Sequence, residues 1–143
     1  MGHASGFTLV EALAATAVAA VLASLAYPSY QATVLKLRRV EALQGLAALQ
    51  AAQEVHRGRH RRYATLVELG LGPGSAGARY RLDEAAPGAQ GYRVTAVAVG
   101  AQAADQACRH LRLEVRDGLA LWSSGPSDAA DNGDAANRRC WGW

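Results

Sequence analysis

Hydrophobic residues follow three different rhythms along this chain. From Phe7 to Tyr27 they are nearly continuous, built from Ala, Leu and Val, with Glu11 as the sole charge and no Gly or Pro. At ~1.5 Å per residue a helix over this stretch is about 31 Å long, enough to cross a hydrocarbon core of about 30 Å. Thr8 and Thr16 can bond back to the preceding turn and need no water there. From Ser29 to about Arg57 the apolar residues Val34, Leu35, Leu43, Leu46 and Leu49 recur mostly at three and four, among Lys36, Arg38, Arg39, Glu41 and Glu54. That spacing predicts an amphipathic helix continuing the first, bent at Pro28 and ending around Gly58. Gly45 weakens it by up to about 1 kcal/mol against Ala.

Beyond Gly70 the rhythm changes to alternation. "ARYRLD" (78–83), "GYRVTAVAV" (91–99), "RHLRLEV" (109–115) and "LALWS" (119–123) read as short strands, the second and third with the clearest period of two. Asp117-Gly118 between the last two is a strong hairpin signal. Three or four antiparallel strands packed on a long helix make an α+β fold. From Pro126 the tail "PSDAADNGDAANRRCWGW" has turn-forming composition and no period.

Composition adds little to this picture. The chain has 143 residues, half of them hydrophobic, and a formal charge of +3 that by itself names no partner. The apolar excess sits before Pro28, and the remainder can bury only a modest core. Residues 1–6 hold no Lys or Arg, and Ser24-Leu25-Ala26 resembles a signal-peptidase site, so an ordinary signal peptide is one reading of the N-terminus. Against it stands Glu11: a charge in the bilayer costs about 2.5–3.5 kcal/mol at the centre, which favours a partner for the acid. Two cysteines, Cys108 and Cys140, behind an export-type N-terminus read as one disulfide. Closing that loop contributes about 4 kcal/mol in the chain-entropy account.

The junction Gly6-Phe7-Thr8-Leu9-Val10-Glu11 resembles the signature of type IV pilins and their relatives, and the likeness continues through Pro28 and "YPSYQ". The family's leader usually carries Lys or Arg, and this one does not. The resemblance implies cleavage between Gly6 and Phe7 by a prepilin peptidase and N-methylation of Phe7. It also implies a pairing of Glu11 with the N-terminal amine of a neighbouring subunit. Both charges are unfavourable alone in lipid, and pairing removes both penalties where the dielectric is low. Residues 1–6 are then the leader, 7–28 the membrane and filament-core helix, and 29–143 the head with the amphipathic half of the helix. The fold implied is the type IV pilin fold, with the sheet followed by a disulfide-bounded C-terminal loop. "RRYATLVELGL", "LRLEVRDG" and the closing "CW" are similar to PilE-type minor pilins. The subunit is expected in the inner membrane before assembly and in the extracellular pilus after it. Its expected partners are other pilins, the prepilin peptidase and the assembly platform.

No motif points to an enzyme or a cofactor: there is no Gly-rich phosphate loop, HExxH or nucleophile elbow. His56 and His60 have a chelating spacing, but Gly58 and the surrounding arginines oppose a cation. Asp128, Asp131 and Asp134 lack EF-hand spacing, leaving calcium a weak reading. The run Arg57, Arg59, Arg61 and Arg62 is either a solvated face or a set of phosphate contacts, with Arg138 and Arg139 as further cations. The function expected is a structural, minor-pilin subunit. The alternatives are a DNA-binding competence pilin and, less favoured given Cys108 and Cys140, a type II secretion pseudopilin.

Overall fold

In the computed structural model, which describes residues 8–72, 76–85, 87–129 and 133–142, the first two rhythms form one helix, α1 (Leu9–His60), with Pro28 inside it. The chain divides into two units, Met1–Val34 and Leu35–Trp143.

In the first unit, α1 is long and apolar enough to cross a membrane. Leu9, Leu13, Val18, Val21, Leu22 and Leu25 are all exposed. Thr16 Oγ1 donates to the Leu13 carbonyl at 3.0 Å and Ser24 Oγ to the Val21 carbonyl at 2.7 Å. These hydroxyls are satisfied within the helix, as a lipid-facing segment requires.

In the second unit, Ala42, Leu46 and Leu49 of α1 join a core with inward residues of an antiparallel sheet. The strands are β1 (Tyr80–Ala85), β2 (Gly91–Ala98), β3 (His110–Arg116) and β4 (Leu119–Gly125), in the order β1-β2-β3-β4. Register follows the alternation: Tyr92 opposes Val115, and Leu113 opposes Trp122, on the core side. Asp117 and Gly118 both have positive φ, 50° and 81°, the type I′ geometry whose twist suits a two-residue hairpin. α1 passes through Gly58 and stops two residues later than the sequence suggests. Arg61, at φ 57°, takes the left-handed position that ends it.

The tail differs from expectation. Asp134–Cys140 forms a short helix, α2, despite its lack of period. Tertiary contacts hold it: Cys140 is bonded to Cys108, and Trp141 sits edge-on to Trp122 with ring centroids 5.3 Å apart. Two 3-10 helices, Gly100–Ala104 and Gln106–Cys108, connect β2 to β3 and carry Cys108. Arg39 of α1 ties this connection to the tail. Its Nε and one terminal nitrogen donate to the Asp105 carboxylate at 2.6 and 2.9 Å, and the other terminal nitrogen to the Arg139 carbonyl at 2.6 Å. Gln53 does the same for the loop after α1, exchanging hydrogen bonds with the Ala64 backbone at 2.7 and 2.8 Å.

Candidate functional site

Gly6 and Phe7, the expected processing junction, lie outside the described residues. Glu11 is described, and it has a local role that its isolation in the sequence conceals. Thr8 precedes the first helical residue, and its backbone N–H donates to Glu11 Oε2 at 3.2 Å. The Glu11 N–H in turn donates to Thr8 Oγ1 at 3.3 Å. This reciprocal pair is a capping box, which satisfies two of the free N–H groups at a helix start. The same tetrapeptide, Thr-Leu-Val-Glu, recurs at 65–68 with the same bonds: Thr65 N–H to Glu68 Oε2 at 2.8 Å, and Glu68 N–H to Thr65 Oγ1 at 3.2 Å. There it starts only a turn, because Gly70 at φ 70° closes it and Leu71 N–H returns to the Leu66 carbonyl at 2.8 Å.

The second box reorganises the basic run. Arg62 donates through both terminal nitrogens to the Glu68 carboxylate, one at 3.0 Å, and also to the Tyr63 carbonyl. The Arg62 hydrogen bond, with that of the Thr65 N–H, pulls the Glu68 carboxyl down to about 2. Arg57 is paired with Glu54 at 3.1 Å, and its guanidinium lies 5.5 Å from the Tyr63 ring centre. Arg59 and Arg61 are exposed and form no ion pair among the described residues. The four arginines therefore separate into two that are held and two that are free. Arg59 follows from the last helical turn, while Arg61 is turned out by its left-handed backbone.

Neighbouring loops gather at this end of the head. Tyr63 N–H reaches the Gly88 carbonyl at 3.4 Å, Gly88 N–H donates to the Gly91 carbonyl at 2.9 Å, and Asp117 N–H donates to the Gln90 carbonyl at 2.9 Å. The end of α1, the β1–β2 loop and the β3–β4 hairpin thus form one rim. A shallow depression there is lined by Glu54, Arg57, Gly58, Arg61 and Ala89. His56 and His60 stack on the next face with centroids 4.2 Å apart. Partial burial, with the nearby His60 and Arg62, holds His56 below the usual histidine range.

Three arginines that sequence reasoning passed over lie on the outer sheet face. Arg93 is opposite Glu114 in register and donates to it through two nitrogens at 3.1 Å. Arg116 pairs with the same Glu114, and Arg112 pairs with Asp128. The alternation of "RHLRLEVR" already places Arg112 and Arg116 on the polar face. Of the tail acids, Asp131 lies outside the described residues, Asp128 is engaged with Arg112, and Asp134 is 3.8 Å from Arg138. Among the described residues, no three His, Cys, Asp or Glu side chains are grouped as a metal site would need.

Residues 1–27 match the prokaryotic N-terminal methylation motif. Residues 28–112 match the family described as type IV minor pilin ComP, DNA uptake sequence receptor. Among curated proteins none matches the chain. The second match spans more than half of the sequence and includes the latter part of α1, the basic run and the first three strands up to Arg112. The chain therefore belongs to the family of the type IV minor pilin ComP, DNA uptake sequence receptor, and is a minor pilin subunit of type IV pili.

Proposed function

We propose that this minor pilin serves DNA uptake, presenting its head at the pilus surface to bind duplex DNA. The observation that carries this reading is two arginines without an ion pair among the described residues, Arg61 in the rim depression and Arg59 on the adjoining face beside His56 and His60, within the segment that matches the DNA-receptor family. An unpaired guanidinium gains more from a phosphate than one already neutralised by Glu54 or Glu68. Held arginines nearby still contribute field, and Tyr63 beneath Arg57 stiffens the rim.

The remaining roles follow the pilin chemistry. The prepilin peptidase cuts between Gly6 and Phe7 and methylates Phe7. The apolar helix then holds the subunit in the inner membrane, with the head outside, until the assembly platform adds it to the filament. Glu11 meets the Phe7 amine of a neighbouring subunit there. No part of this role requires catalysis or a cofactor. The family match favours DNA uptake over a secretion pseudopilin.

Equilibrium binding of the detergent-solubilised full chain to duplex DNA tests the proposal. Arg59→Gln/Arg61→Gln should weaken binding roughly tenfold at low salt and make the log K against log salt slope shallower by about two. Both side chains are exposed, so the fold should be unaffected. Affinity and slope unchanged by the double substitution would remove this rim as the DNA site.

A further inference from the structure

Arg112 faces away from the core, yet it is only 8% exposed. A buried guanidinium persists only with its donors satisfied. Its Nε donates to Thr95 Oγ1 at 3.2 Å, across the β2–β3 register. A terminal nitrogen donates to the Asp128 carboxylate at 2.6 Å and to the Asp128 carbonyl.

The two partners are unequal. The Arg112 side chain is 10% exposed and held by the sheet, whereas the Asp128 side chain, on the segment after β4, is 89% exposed. A built cationic fork is thus completed by a carboxylate that is almost wholly in water.

The adjoining depression is lined by Asp83, Glu84, Arg93, Thr95, His110 and Asp128. Asp83 is committed to Arg81 through two hydrogen bonds, and Glu84 accepts the Leu66 N–H at 2.8 Å. His110 Nδ1 is buried there without a hydrogen-bond partner.

We propose that Asp128 fills, in cis, an oxyanion site formed by Arg112 and Thr95, and yields it to a phosphate group. The source of that phosphate, a DNA phosphodiester, rests on the function proposed above; the site itself takes any anion of this chemistry. Phosphate oxygens can accept from the terminal nitrogen that now meets the Asp128 carboxylate and carbonyl, so exchange leaves that donor satisfied. Asp128 returns to water at little desolvation cost because it is already exposed. Around the depression Arg81, Arg93, Arg112 and Arg116 meet Asp83, Glu84, Glu114 and Asp128, so its departure raises the net charge of this set from 0 to +1. A ligand competing with a cis occupant binds with its affinity reduced by the fraction of time the site is open.

The test titrates inorganic pyrophosphate into the full chain in zwitterionic detergent, following binding heat and the Arg112 Nε–H resonance. Asp128→Asn should bind at least tenfold more tightly than the unsubstituted chain. Adding Arg112→Gln should abolish the gain, and Arg112→Lys, which keeps charge without the fork, should lose most of it. Equal affinity of the Asp128→Asn and unsubstituted chains overturns the site, as does a gain that survives both Arg112 substitutions.

Duplex DNA forms the second arm. Asp128→Asn should bind it more tightly, with a salt slope steeper by about one. Tighter pyrophosphate binding with unchanged DNA binding overturns the DNA assignment and leaves free phosphate as the ligand. A chain that binds no DNA at low salt overturns the proposed function, and the pyrophosphate arm still decides the site.

Discussion

Arg39→Ala should destabilise the head by about 3–5 kcal/mol, the cost of leaving a buried charge without its partner. Arg39 and Asp105 side chains are 13% and 6% exposed, and their two-nitrogen contact is the tightest link between α1 and the connection before β3. The substitution strands the Asp105 carboxylate beside Gln102 Nε2, a neutral donor at 3.3 Å. It also frees the Arg139 carbonyl, so α2 loses a restraint independent of the disulfide. Denaturant unfolding of the detergent-solubilised chain, followed by tryptophan fluorescence at Trp122 and Trp141, measures the loss. Arg39→Met/Asp105→Leu should be less damaging than Arg39→Ala, since removing both charges removes the desolvation penalty with them. A loss below about 1 kcal/mol for Arg39→Ala would show that the pair is not a support of the head.

Glu11→Gln should reduce recovery of the subunit in sheared pili by at least tenfold, as should Glu11→Ala. The two substitutions separate roles that overlap in one side chain. Glutamine retains the capping box with Thr8, because its amide oxygen still accepts the Thr8 N–H, but it carries no charge for a neighbouring amine. Alanine loses both, and loss of capping costs only about 0.5–2 kcal/mol of helix stability. The Thr8 bonds lower the penalty of an acid near lipid. Membrane insertion should be undiminished in both variants, since each removes a charge. Quantitative immunoblots of sheared filaments against membranes measure the outcome. Normal recovery of Glu11→Gln with poor recovery of Glu11→Ala would assign the residue to capping alone.

Where local rules were in force, the sequence was readable. Period-two alternation located β2 and β3 to within a residue or two, and Asp117-Gly118 located the β3–β4 hairpin because few residue pairs accept two positive φ values. The length and continuity of α1 were plain from its apolar run. Non-local arrangement was less visible. α2 has no period because its position depends on Cys108, Arg39 and Trp122, whose contacts with the tail span 19 to 100 residues along the chain. The basic run looked uniform in sequence, yet Glu68 neutralises Arg62 only because a capping turn brings it back. The signal was present in the repeated Thr-Leu-Val-Glu, whose Thr and Glu stand at capping-box spacing both times. Asp128 was in view as a candidate ligand but Arg112 was not, and nothing local joins the middle of β3 to the segment after β4.

As a pilin, the chain should keep its apolar helix after processing and carry the head into a pilus. N-terminal and intact-mass analysis of this chain recovered from sheared filaments tests it most directly. The expected chain begins at Phe7, bears one methyl group on its amine and retains the disulfide between Cys108 and Cys140. A mature chain beginning at Tyr27, or absence of the chain from filaments that contain other pilins, would contradict it.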